Sequence, residues 1–291
     1  MLKVSPFDST FGYIVSPAAF DTGNHGISGD DHAEIKRLYA ESGFVLFRGF
    51  GFDVDTFGPL VQSFSSEIVR HPNMLRQSVT DDRSILLVDP NETAIPAHSE
   101  LTYTPLRPEM QWFLCVKSAA SGGETTVYDG HAILEALKPA TRKTFVDKRL
   151  KWKMEQPIPP AVWQALFGIR TADEAIEIFQ KFAGFQFRFA DDGTLTFQYL
   201  TPAIVTSKYT GRLAFANNYL VGGIPLELED GTAIPSDYRW EILEVSERYA
   251  IPISWESGDV AMIDNNRVMH GRRKFKDTTR KIAAMVSNAN F

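Results

Sequence analysis

The sequence predicts a mainly β fold decorated by helices, an α+β sandwich or barrel in one domain spanning residues 1–291. Three observations carry this. Short runs rich in β-branched and aromatic residues recur, bounded by Gly, Pro and Asn or Asp. A few segments between them place apolar residues at helical spacing. No repeat, low-complexity tract or linker-like change in composition divides the 291 residues.

The elements follow in order. Asp30 to Ser42 spaces Ile35, Leu38 and Tyr39 at i, i+3, i+4 and opens on acidic residues, so it reads as an amphipathic helix that Gly43 stops. Gly43 to Phe50, GFVLFRGF, reads as a buried strand. Asp53 is the expected N-cap of a helix to Ser65, with Leu60, Val61 and Phe64 as its stripe. Ser84–Asp89 and Met110–Ala119 read as strands, separated by a polar, Pro-containing stretch. Ser121 to Gly130 is a turn followed by a strand. Gly130–Leu137 and Pro139–Asp147 read as helices, the second with Pro at its start. Thr171–Phe182 is helical, and Phe185 to Leu200 is a hairpin around Asp191-Asp192-Gly193. Arg212–Val221 reads as a strand and Pro235–Tyr249 as a helix. The C-terminal part returns to strands in IPISWE, DVAMID and RKIAAMVSN.

Composition excludes several classes. A chain 44% hydrophobic and 12% aromatic can bury a sizeable core, which rules out wholesale disorder. A net charge of -6 without basic runs argues against a nucleic-acid partner. The one cysteine, Cys115, excludes an internal disulfide framework and any multi-cysteine metal site. Its apolar neighbours predict a buried, inert thiol. Apolar stretches are far shorter than the ~20 residues of a membrane span. Pro6, Asp8 and Pro17 interrupt the N-terminus, so no signal peptide is expected and a cytoplasmic location is.

Of six histidines, two stand in unusual company. In AHSELTY, His98 and Glu100 would point to one side of an extended backbone and converge on a cation. Alone, such a pair is more often a surface loop. His270 follows the Asp264-Asn265-Asn266 turn and sits among Arg267, Arg272, Arg273 and Lys274. Neighbouring cations disfavour its protonation, and a neutral imidazole is the form that ligates metal. The plainer alternative is an ordinary turn histidine. His131 reads as structural, and His25 and His32 as solvated. Alternating Phe185, Phe187 and Phe189, with Phe197 and Tyr199, read as core or as a lid. Asn217 and Asn218 are candidates to reach a substrate.

Four pieces in order resemble the iron(II)/2-oxoglutarate dioxygenases of the taurine dioxygenase (TauD/TfdA-like) superfamily. They are GFVLFRGF; His98-x-Glu100; Gly122-Gly123-Glu124-Thr125 after the strand WFLCVKSA; and Gly258-Asp259…Asp264-Asn265…His270-Gly271-Arg272, followed by Arg280. The resemblance runs from about Glu34 to the C-terminus and is thin over residues 150 to 210. It implies a double-stranded β-helix, or jelly roll, with an insertion or lid at about 150–210. It implies His98, Glu100 and His270 as ligands of Fe(II), the facial set that leaves positions open for 2-oxoglutarate and O2. Thr125 would contact the cosubstrate. A basic residue on the last strand would hold its far carboxylate: Arg280 is favoured, with Lys281 and Arg272 as alternatives. His71 falls near a substrate-lining segment.

A Glu ligand, where taurine dioxygenase itself has Asp, resembles the clavaminate-synthase-like members. It points to bacterial secondary metabolism and an amino-acid-derived small molecule, free or carrier-tethered, hydroxylated or desaturated; tyrosine-isonitrile desaturases belong to this neighbourhood. Self-association into a homo-oligomer is left open. Two other classes fit the same residues: a zinc hydrolase, since two His and one Glu also serve zinc, and a non-catalytic jelly-roll binding module.

Overall fold

The computed structural model describes residues 2–18, 27–70, 76–89 and 91–291. Elements are numbered in chain order. The larger sheet runs β1 (Leu2–Pro6), β2 (Tyr13–Pro17), β3 (Phe44–Phe47), β16 (Val260–Asp264), β7 (Met110–Lys117), β18 (Lys281–Ala289), β4 (Ser65–Val69), with β5 (Leu86–Leu87) also on β18. A smaller sheet runs β15 (Ile251–Pro252), β8 (Thr125–Asp129), β17 (Val268–Arg272), β6 (Ile95–His98). These two sheets are the jelly-roll pair that the resemblance implied. A third sheet, β10 (Phe185–Phe189), β11 (Leu195–Pro202), β9 (Arg149–Ile158), β14 (Leu226–Leu228), and the ribbon β12 (Ile204–Thr206) with β13 (Leu213–Phe215) stand beside them.

Side-chain parity explains the layering. In β3, Val45 and Phe47 join one apolar cluster while Phe44 and Leu46 join another. The same split holds in β16 (Val260 and Met262 against Ala261 and Ile263) and in β18 (Ala283 and Met285 against Ile282 and Ala284). One face of the larger sheet packs on the helices α1 (Gly29–Ser42) and α2 (Val54–Ser63), through Ile35, Leu38, Phe57 and Val61. The other meets Val127 of β8 and Val268 of β17. A strand buried on both faces is a continuous apolar run, which is why FVLF alternates nothing. The outer face of the smaller sheet, Tyr128 and Met269, packs on α3 (Gly130–Ala136) and α7 (Ser236–Arg248) through Ile133, Leu134, Ile242 and Val245.

Caps bear on the boundaries. Asp53 caps α2 as expected, whereas α1 starts on Ser28, whose hydroxyl accepts from Asp31 N in a capping box. Pro139 opens α4 (Pro139–Asp147). Several expected elements are shorter. The run Ser84–Asp89 pairs only at Leu86–Leu87. The strand expected over Arg212–Val221 stops at Phe215, because Asn217 Oδ1 accepts from Tyr219 N and turns the chain. In the segment 150–210, β9 and α5 (Pro160–Phe167) accompany the expected α6 (Ala172–Phe179) and hairpin. Phe179, Phe185 and Phe197 form its core with Trp163 and Phe167. Leu106, a few residues past Glu100, packs against that cluster.

Candidate active site

His98 ends β6 and faces His270 of β17 in register, with ring centroids 4.2 Å apart. His270 shares the parity of Val268, so it points into the space between the sheets, where Phe113 meets its ring edge at 5.1 Å. Glu100 lies beyond the strand, in a turn whose next residue, Leu101, holds φ 56°. That turn, and not an extended backbone alone, brings Glu100 round. Its Oε2 stands 3.7 Å from His270 Nε2. One ligand atom from each of His98, Glu100 and His270 lies within 4.8 Å of the others.

The donor set fits a divalent metal. His98 Nδ1 donates to Pro96 O at 2.9 Å, which leaves Nε2 for a ligand. Burial holds the His98 imidazole below its usual range, and holds His270 well below it, with the proximity of His98 adding to the effect. Both rings are therefore neutral at physiological pH. For His270 the cause differs from the one expected. Its cationic neighbours are turned elsewhere: Arg267 pairs with Asp129 at 3.0 Å, and Arg273 with Glu247. Arg76 is the arginine whose charge bears on both imidazoles, behind burial in each case.

A second corner adjoins it. Thr125 shares the inward parity of Val127. Its hydroxyl accepts from Trp255 Nε1 at 3.1 Å and from Arg280 Nη2 at 3.4 Å. Arg280, 8% exposed, shares the face of Ile282 and Ala284 and lies 5.5 Å from the Phe275 ring. Burial, then Arg272, draws its pKa down to about 10, so it stays charged at neutral pH. Gly123 makes room: at φ +70° its absent Cβ would stand 3.0 Å from Arg280 Cδ. The two alternatives are placed differently. Lys281 is exposed. The Arg272 guanidinium binds the carbonyls of Asp89, Asn91 and Thr93.

The remaining candidates separate. Asn217 is buried, and its amide donates to Ala203 O at 2.9 Å while accepting from Tyr219 N, so its side chain serves the backbone turn. His71 and His25 lie outside the described residues. His131 is structural, bound to Leu213 O at 2.8 Å. His32, expected in solvent, bonds Ser28 O and Ser63 Oγ and stacks on Phe64. Sequence reasoning missed one residue outright. Asn265 accepts from Glu100 N and donates to the carbonyls of Glu100 and Pro108. Its place in the Asp264-Asn265 turn, one of the pieces of the resemblance, was the signal available.

The model of the taurine catabolism dioxygenase TauD, TfdA family matches residues 16–286. The chain belongs to this family. It is an iron(II)- and 2-oxoglutarate-dependent dioxygenase, an oxidoreductase that uses O2. A clavaminate synthase-like protein of Arabidopsis thaliana is 26% identical over 280 residues, covering 86% of this dioxygenase and 83% of the plant protein. Two solved structures share the fold. A taurine dioxygenase from Burkholderia xenovorans has a TM-score of 0.65 at 15% identity, covering 99% of this chain and 90% of that one. The PvcB protein from Pseudomonas aeruginosa has a TM-score of 0.63 at 15% identity, covering 98% and 90%. Membership displaces the zinc-hydrolase and binding-module alternatives. No helix among the described residues is long and apolar enough to cross a membrane.

Proposed function

We propose that this dioxygenase holds Fe(II) with His98, Glu100 and His270 and anchors 2-oxoglutarate through Arg280 and Thr125, to hydroxylate or desaturate an amino-acid-derived small molecule. The observation that carries this is the convergence of two neutral imidazoles and a carboxylate next to a buried arginine–threonine pair. When bound, the iron with its cosubstrate supplies O2 activation for attack on an unreactive C–H bond.

The protein's own residues do the rest. Arg280 offers a planar fork to the far carboxylate, and Thr125, fixed by the Trp255 indole, offers its hydroxyl beside it. Phe113 and the apolar strand residues keep water from the ring of His270. Glu100 is held in place through Asn265. The insertion at 150–210, whose apolar cluster packs against Leu106, is suited to act as a lid. The Glu ligand supports the amino-acid-derived substrate class. So does the shared fold of PvcB, described as an Fe, alpha-ketoglutarate dependent oxygenase from an isonitrile synthetic pathway.

Anaerobic titration with Fe(II) and then 2-oxoglutarate tests the site. A weak visible charge-transfer band should form, and His270→Ala should abolish it. Iron binding without a band would reject the assignment of Arg280 and Thr125. Amino acids and their N-modified derivatives, screened for succinate release above the uncoupled background, test the substrate class. Stimulation by a sulfonate alone would reject it.

A further inference from the structure

Asp264 and Asn266 line a cavity of about 460 Å³ whose lining includes none of His98, Glu100 and His270. Its lining includes Tyr39, Tyr209 and Asp264, with Ile204 and Val205 as apolar wall and Lys208 with Glu109 among its polar residues. That size lies within the range of small-molecule sites.

Asp264 is 3% exposed, and its carboxyl takes one hydrogen bond among the described residues, from Asn266 N at 2.9 Å. The nearby cations Arg267, Arg107 and Lys208 act on its charge but bond other partners. Lys208 pairs with Glu109 at 3.1 Å and Arg267 with Asp129, while Arg107 donates to the carbonyls of Ala216 and Asn265. Tyr39 is 1% exposed and lines the cavity. The Tyr209 hydroxyl is buried and has no hydrogen-bond partner among the described residues. The two rings meet edge to face at 5.5 Å. Buried polar groups are normally satisfied, so a carboxyl with spare acceptor capacity and an unpartnered buried phenol beside one cavity call for a ligand that donates hydrogen bonds. An ammonium group supplies several donors, a charge opposite to that of the carboxylate, and attraction to tyrosine faces. Ile204 and Val205 suit an apolar body attached to it.

We propose that this cavity is a second binding site of the chain, for a small organic ammonium ion with an apolar body, held by Asp264 and the hydroxyls of Tyr39 and Tyr209.

Calorimetric titration of the whole protein tests it, with benzylammonium chloride against benzyl alcohol, its neutral counterpart. Benzylammonium should bind about tenfold more tightly or better, the gain expected of a charged hydrogen bond. Asp264→Asn should erase the difference, Tyr209→Phe should weaken benzylammonium severalfold, and His270→Ala should leave it unchanged. Equal affinities for the two probes would overturn the proposal. So would undiminished preference in a folded Asp264→Asn protein, or loss of binding in His270→Ala, which would place the ligand at the metal centre. If circular dichroism shows Asp264→Asn unfolded, Tyr209→Phe decides, and unchanged affinity there refutes the site.

Discussion

Asn265 grips Glu100 by both sides of its backbone: Oδ1 accepts from Glu100 N at 2.7 Å and Nδ2 donates to Glu100 O at 3.0 Å. The same Nδ2 reaches Pro108 O at 2.9 Å, so one buried amide ties down the turn that carries the carboxylate. Asn265→Ala removes these bonds without touching a ligand atom. Partners that orient ligands typically contribute 10- to 100-fold to metal affinity. We expect Asn265→Ala, folded by circular dichroism, to weaken Mn(II) binding by about that factor. Native-like affinity would mean that Glu100 is held by its neighbours alone.

The Arg280–Thr125 pair separates the three candidate cations. Arg280→Ala should raise the apparent KM for 2-oxoglutarate about 10- to 100-fold, the loss expected of a buried charge-assisted pair. Lys281→Ala, on an exposed side chain, should barely change it. Equal effects, or the reverse order, would reject the strand register argued above.

Acid should destabilise the metal-free protein. Burial holds His98, His131 and His270 below the usual imidazole value of 6.5. The unfolded chain therefore takes up protons near pH 6.5 that the folded chain refuses. This stability is complete above that pH and is lost as pH falls toward the folded values, at about 1.4 kcal/mol per unit for each group. Asp264 acts in the opposite sense: burial raises its pKa from 3.8 to about 6, so it favours folding as pH falls through that window. Three groups against one make the net effect destabilising. The urea midpoint of the apo-protein should be lower at pH 5.5 than at pH 7.5, and an unchanged or higher midpoint would count against the buried neutral histidines.

Cys115 is fully buried, and burial pushes its thiol pKa up to about 12. Native protein should resist iodoacetamide at pH 8, with stoichiometric alkylation only after denaturation. Rapid labelling of the folded protein would show that the inter-sheet core opens.

Gly130 sits where a Cβ would lie 2.4 Å from Arg267 O and 2.6 Å from Phe215 O. Both obstacles are backbone, so neither can rotate away. Gly130→Ala should cost about 1–3 kcal/mol or more of stability, read as a lower thermal midpoint. A neutral outcome would mean that the junction between β8 and α3 shifts freely.

Much of this was legible along the chain because strand parity is a local property. The alternation of Arg280, Ile282 and Ala284 puts the arginine on the inward face before any contact is known. The Phe185–Phe189 alternation likewise marks an apolar face. What escaped depends on distance. β9 carries an irregular mixture of Lys, Met and Trp, whose burial is set by β11 and β14 on either side. β6 hides in a polar stretch with Pro96, because it is held by pairing with β17 and little by its own propensity. Asn265 and Glu100 are 165 residues apart, and no spacing rule joins them. The neutrality of His270 was expected for the wrong reason: adjacent cations in sequence point away, and enclosure does what they were supposed to do.

The place of β16 between β3 and β7 has a consequence for how the chain is made. β3 and β7 leave the ribosome long before the strand that pairs with both, and β18, which flanks β7 on its other side, comes later still. Until then the nascent polypeptide carries open apolar edges, the kind that pair with other chains. A stop codon or proteolytic cut just before Val260 would strand it in that state. The predicted phenotype of such truncations is chaperone retention and aggregation, not a smaller working enzyme.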